Sequence, residues 1–185
     1  MDVDKLRALT RPTDAPALSV TVDGVRTDFS PRAITAVVGP NGSGKTTLMG
    51  RIAGRLSGGE VSPEGADVVL LTQRPGLPPR STALQAVAMV TRDKVRAQEL
   101  LAAAGLHELA DVPVPALSGG QAAHVALVRA LAARPAVLIV DEPLAAVDVK
   151  SAERWRRFLH AARADRTTLL VTHDALDIAH LAQDM

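Results

Sequence analysis

The sequence predicts an α/β fold with a mainly parallel sheet, a small helical segment inserted into it and an abbreviated N-terminal β-rich part. Three observations carry that expectation. Compact apolar, β-branched runs alternate with helical stretches along the chain. A glycine-rich segment, GPNGSGKTT at 39–47, stands between one such run and a helix. Another run, VLIV at 137–140, ends in two adjacent carboxylates, Asp141 and Glu142.

With 185 residues the chain is long enough for one domain with a substantial core and too short for two ordinary ones, so 1–185 is read as a single domain. Its 47% hydrophobic and 22% charged residues give a globular balance rather than a disordered one. A formal net charge of +1 creates no demand for nucleic acid or an anionic membrane. Cysteine is absent, which excludes a disulfide framework, a thiolate metal site and a cysteine nucleophile, and fits a reducing cytosol. The N-terminal MDVDKLRALTRPTDAP lacks the apolar core of a secretory signal, and no apolar stretch is long enough to span a bilayer. Any membrane association is expected to come from a partner.

The elements follow in order. Residues 1–16, polar and carrying Pro12 and Pro16, read as a loose lead-in. ALSVTVDGVRTDF at 17–29 alternates around Asp23-Gly24 and predicts a short hairpin, with Phe29 in the core. AITAVVG at 33–39 predicts a buried strand, KTTLMGRIAGRL at 45–56 a helix with Leu48, Ile52 and Leu56 on one face, and VVLLTQ at 68–73 a second buried strand. A helical subdomain is expected over about 74–115: Thr82 and Gln85 form a capping box, and Ala97, Leu100, Leu101 and Ala104 keep helical spacing before a stop at Gly105. Beyond it come a helix over 119–133, the strand 137–140, an arginine-rich helix over 151–164 and a strand over 167–172. The arginines at 154, 156, 157, 163 and 166 read as a solvated face.

GPNGSGKTT fits the P-loop pattern G-x-x-x-x-G-K-[ST] between a strand and a helix, and so predicts a P-loop NTPase. Gly42 and Gly44 let backbone N–H groups turn inward, where the helix N-terminus adds partial positive charge. Lys45 is placed for the β- and γ-phosphates, Thr46 for Mg²⁺ and Thr47 for the α-phosphate. Asp141, at the C-terminal edge of a buried strand, is placed to hold Mg²⁺ through water, and Glu142 to orient or deprotonate an attacking water. The third segment, ALSGGQ at 116–121, is a helix start in which Ser118 and Gln121 have capping-box spacing; it also looks like a second phosphate cradle.

With ALSGGQ joining GPNGSGKTT and LIVDEP, the chain resembles an ABC-type ATPase, the nucleotide-binding domain of ABC transporters, from about residue 30 onward. The resemblance implies ATP and Mg²⁺ as cofactors. It implies nucleotide contacts at Gly39, Pro40, Asn41, Gly42, Ser43, Gly44, Lys45, Thr46 and Thr47. Ser118, Gly119, Gly120 and Gln121 would reach the nucleotide of a second copy. Gln73 corresponds to the Q-loop glutamine, touching Mg²⁺ with Thr46 and Asp141; Asp148 corresponds to a D-loop acid crossing the dimer interface. His173 corresponds to the switch histidine, which with Glu142, Gln73 and Lys45 completes the catalytic set. Alone, Asp148 reads as a helix N-cap, and Gln73 and His173 as ordinary polar residues; their joint occurrence after predicted strands favours the family roles.

The partners implied are a second ATP-binding subunit, transmembrane permease subunits and a solute-binding protein, with no direct nucleic acid. The place implied is the cytoplasmic face of the membrane. The sequence departs from the family in three places. Tyrosine is absent, which leaves an aliphatic residue near Ser19–Val22 to contact adenine. His124 stands where the family has a more basic residue. AHLAQDM ends where the family adds further strands, implying an abbreviated or truncated domain. The short insert suggests import, and DEPLAAVD is similar to subunits for molybdate and other small solutes. The rival readings are an ABC-type ATPase acting on nucleic acid or ribosomes, and an ATP-binding fragment with little turnover.

Overall fold

The computed structural model describes residues 1–40, 42–73, 76–145, 147–172 and 175–181. Its centre is a parallel sheet of β3 (Ile34–Val37), β7 (Thr167–Val171), β6 (Val137–Asp141) and β5 (Val68–Leu71), in the order β3-β7-β6-β5. The register places Val37 and Asp141 both opposite Val171, and Leu71 opposite Val140. All four strands therefore end at nearly one level, where the following residues emerge together.

Period-two alternation divides the strand side chains between two cores. Leu138, Val140 and Leu170 face helices on one side, whereas Val137, Ile139, Leu169 and Val171 face Met49 and Ile52 on the other. The second core is roofed by the antiparallel sheet β2-β1-β4: β1 (Leu18–Val22), β2 (Val25–Phe29) and β4 (Gly59–Ser62). The expected hairpin is present, and Asp23 and Gly24 both take positive φ, +51° and +79°, as a two-residue turn matching strand twist requires. β4 escapes the sequence reading because it is short and Val61 is its one large apolar residue.

Helix α2 (Lys45–Ile52) ends a turn earlier than predicted. Gly54 takes φ +67°, and the chain folds back so that Leu56, half exposed, lies over Gly50, where a Cβ would come 2.8 Å from Leu56 Cδ1. The helical layer contains α3 (Ala83–Thr91) and α4 (Lys94–Ala103), followed by α5 (Gly119–Ala132). The predicted capping box closes, Thr82 Oγ1 accepting from Gln85 N at 3.2 Å and Gln85 Oε1 from Thr82 N at 2.9 Å. Gly105 has φ +75°, as a stop after α4.

Two expectations are corrected. The lead-in contains a helix, α1 (Val3–Thr10), N-capped by Asp2 and buried through Leu6 and Thr10. The arginines beside α6 (Val149–Ala162) do not form one solvated face: Arg154 and Arg157 are exposed, but Arg156 and Arg166 are 7% and 1% exposed. Arg156 donates to Asp177 of α7 (Ala175–Leu181) at 2.6 Å, and Arg166 to the Thr10 carbonyl at 2.6 Å. A guanidinium can enter the interior when such acceptors meet it.

Candidate functional site

The segment after β3 turns directly into α2. Gly42 and Gly44 take φ +80° and +88°, which only glycine adopts without strain. A Cβ on Gly39 would lie 2.9 Å from Ser43 Oγ, so the turn closes only without one. No side chain caps the N-terminus of α2, leaving its first amides available to an anion. The Lys45 ammonium donates to the carbonyls of Gly39 at 2.7 Å and Pro40 at 2.9 Å, which folds it over the same loop.

Strand β6 delivers the acids. Thr46 Oγ1 lies 3.3 Å from Asp141 Oδ2, a hydroxyl beside a carboxylate. Such hard oxygen donors suit Mg²⁺. Glu142 has φ +48°, a left-handed backbone unusual for a glutamate, fixed by its N–H donating to the Val171 carbonyl at 2.8 Å. Gln73 Nε2 approaches Glu142 Oε2 at 3.5 Å from the end of β5. A cleft of about 350 Å³ is lined by Gly42, Gly44, Lys45, Thr46, Thr47, Gln73, Asp141, Glu142 and Val171. Pockets outside the carboxyl ends of parallel strands are where open α/β sheets bind ligands. The donors fit a nucleotide triphosphate with its cation: amides and an ammonium for phosphate, hydroxyl and carboxylate for metal.

Ser118, Gly119, Gly120 and Gln121 do not line this cleft. Ser118 N-caps α5, its Oγ accepting from Gln121 N at 3.2 Å, while Gln121 Oε1 accepts from Ser118 N at 2.9 Å. The capping reading therefore holds, and Gln121 is spent on it. Ser118 and Gly119 are nonetheless exposed, and nothing lies within 4 Å of where a Gly119 Cβ would be. A pocket of about 150 Å³ adjoins the cleft, lined by Gln73 and Glu142 together with Ala123 and Ala126 of α5.

Asp148 is exposed and N-caps α6, accepting from Ser151 N at 3.1 Å; the hydrogen bonds from Ser151 hold its carboxyl below the usual range. His124 lies over Trp155, ring centroids 5.9 Å apart, and its Nε2 is buried with no protein hydrogen-bond partner. Burial lowers its pKa, against a smaller opposing pull from Asp148. Asn41 and His173 lie outside the described residues. Phe29 is half-buried rather than interior and lines a groove of about 400 Å³ with Val38 and Leu48 beside the phosphate loop. In the Ser19–Val22 stretch Val20 is 2% exposed and faces the core, whereas Val22 is half-buried. The sequence reading missed α1, β4 and the interior roles of Arg156, Arg166 and His124; an arginine and an acid separated by an element leave no periodic signal.

A family model described as ABC transporter matches residues 22–145. A sulfate/thiosulfate import ATP-binding protein of Ralstonia nicotianae is 37% identical over 86% of this chain and 51% of its own length. A taurine import ATP-binding protein of Pseudomonas entomophila is 33% identical over 87% of this chain and 70% of its own. The chain thus spans about half the length of the first relative. Among solved structures, a dimeric bacterial ABC transporter cassette superposes with a TM-score of 0.80 at 23% identity, covering 89% of this chain and 91% of that one. A dimeric ATP-binding cassette in a post-hydrolysis state with ADP and Pi gives 0.76 at 24% identity, over 91% and 90%. At those identities the superpositions speak for the fold, and the sequence matches settle the lineage: this chain belongs to the ABC transporter family.

Proposed function

We propose that this chain is the ATP-binding subunit of an importer, hydrolysing ATP at the interface of a head-to-tail pair and driving solute through a separate permease. One observation carries the reading. Lys45, Thr46, Gln73, Asp141 and Glu142 share a single cleft, while the Ser118–Gly120 cradle, exposed at Ser118 and Gly119, lies off it. Two incomplete cradles in one chain are reconciled when each completes the site of another copy. In the pair, Lys45 and the loop amides would bind phosphate, Thr46 and Asp141 with Gln73 would hold Mg²⁺, which would offset phosphate charge, and Glu142 would align water for attack on the γ-phosphorus. Asp148 and His173 act at the interface and beside the γ-phosphate.

Among the described residues no helix is long and apolar enough to cross a membrane. In this reading the permease holds the subunit at the cytoplasmic face. The relatives named above are importers of sulfate, thiosulfate and taurine, and others carry names for aliphatic sulfonates. Those names support import of a small sulfur oxyanion or sulfonate, recognised by the permease and a solute-binding protein; they lend nothing to molybdate. The burial of Arg156 and Arg166 weakens the basic surface that a nucleic-acid reading needs. The deciding experiment is sedimentation of Glu142→Gln with ATP and Mg²⁺. A stable dimer that disperses without ATP supports the mechanism, and a persistent monomer sinks it.

A further inference from the structure

Helix α1 lies ahead of the residues matched by the family, 22–145, yet it is one of the best-anchored parts of the chain. Its start is tied to the end of α4, Asp2 N donating to the Ala103 carbonyl at 2.7 Å. Leu6 is fully buried within the core that α3–α6 share. At its C-terminus guanidinium groups from separate elements meet carbonyls that the helix leaves unsatisfied. Arg96 of α4 and Arg134, just after α5, donate to Leu9 O at 3.2 and 3.3 Å, and Arg166 of the turn before β7 donates to Thr10 O. Cations at that end also meet the negative pole of the helix. On its flank, Arg7 pairs with Asp165 and Arg11 lies 3.2 Å from it.

The anchors lie on different parts of the fold. Arg96 and Ala103 belong to α4, and its neighbour α5, which Arg134 follows, begins at the Ser118 cradle; Asp165 and Arg166 lie in the turn that leads into β7, the strand between β3 and β6. Helix α1 therefore links the α4–α5 helices to the turn that enters the sheet. We propose that α1 is a brace that fixes the α4–α5 helices, and with them the Ser118 cradle, in a set orientation on the sheet, so that two copies meet pre-organised when they close on nucleotide. The second half of this statement rests on the paired-subunit reading above. Pre-organisation lowers the ordering entropy of association, so loosening the brace weakens pairing without touching the phosphate loop.

The test uses Glu142→Gln as parent and adds Arg7→Ala with Arg11→Ala. Both arginines are partly exposed, but Asp165 is buried and loses both of its cations, so Asp165→Asn accompanies them; Leu6→Ala is the stronger companion variant. Without nucleotide, amide exchange over residues 94–103 is expected to quicken while β6 (137–141) keeps its protection. With ATP and Mg²⁺, the dimer dissociation constant is expected to rise about two- to tenfold, with ADP affinity of the monomer unchanged. Unchanged exchange at 94–103 overturns the brace. Faster exchange with unchanged or tighter pairing overturns its role in closure. A parent that never pairs defeats the proposed function instead, and the exchange arm, which needs no ATP, still decides whether α1 holds the helices.

Discussion

The Thr46 hydroxyl and the Asp141 carboxylate stand 3.3 Å apart although 95 positions separate them in the chain. Parallel pairing achieves this, because β3 and β6 both pair with β7 and finish level with Val171. If the pair holds Mg²⁺, Asp141→Asn keeps the shape and removes the charge. Nucleotide titrations in EDTA should match wild type. The gain on adding Mg²⁺ should shrink by about 2 kcal/mol, roughly thirtyfold. Equal gains in both proteins would remove Asp141 from the metal site.

Glu142 offers a separation of activity from stability. Its φ of +48° is a conformation that glycine takes freely and glutamate does not. Glu142→Gly and Glu142→Gln should both lower ATP turnover by about 10²- to 10⁴-fold. Denaturant melts should nonetheless show Glu142→Gly about 1 kcal/mol more stable than Glu142→Gln.

Gly119 provides the cleanest test of the second cradle. Its surroundings are open, and an acid in the first turn of α5 favours the helix dipole, so Gly119→Asp should not lower the thermal midpoint. The same charge repels a phosphate. ATP-driven pairing in the Glu142→Gln background should disappear, while ATP binding to the monomer persists. Retained pairing would deny the cradle its partner.

His124 predicts a pH dependence with a definite sign. Burial lowers its folded pKa below the ordinary histidine value of about 6.5. The unfolded chain therefore takes up the proton first as pH falls, and stability drops from about 6.5 downward until the folded pKa is reached. His160 is shifted the same way, so the comparison is with His124→Phe. That variant should show a shallower stability loss across the window; identical slopes would place the titration elsewhere.

The Arg156–Asp177 pair joins α6 to α7 at 2.6 Å, with side chains 9% and 3% exposed. Thr172 donates to the other Asp177 oxygen at 3.1 Å. Asp177→Ala removes a buried anion from both, and urea melts should show a loss of about 3 kcal/mol or more. A loss under 1 kcal/mol would mean that the guanidinium is satisfied without Asp177, by another partner or by water.

Much of the site was legible because its chemistry is local. The phosphate loop is a contiguous glycine pattern, and Asp141 and Glu142 follow an unbroken apolar run, so strand, edge and acids are read together. Ser118 and Gln121 declare a helix start within four positions. What escaped depends on partners far along the chain. Val3, Leu6 and Leu9 keep helical spacing in the lead-in, but the charged residues and prolines around them hide it until α4, α5 and α6 surround Leu6. Arg156 and Arg166 look solvated until Asp177 and the Thr10 carbonyl meet them. The end of α2 was overrun because Leu56 keeps helical spacing while Gly54, two residues earlier, has already turned the backbone.

The level strand ends also make the site sensitive to counting. Asp141 and Glu142 are neighbours with unlike surroundings, one beside Thr46 and the other beside Gln73. Adding one residue in β6 would turn the side chains beyond it to the opposite core and move Asp141 into the place of Glu142; losing one would bring Glu142 into the place of Asp141. A length change that composition would scarcely register would therefore carry a carboxylate from the place beside Thr46 to the place beside Gln73, or the reverse. Substitutions along β6 can be absorbed by repacking, but a change in its residue count cannot.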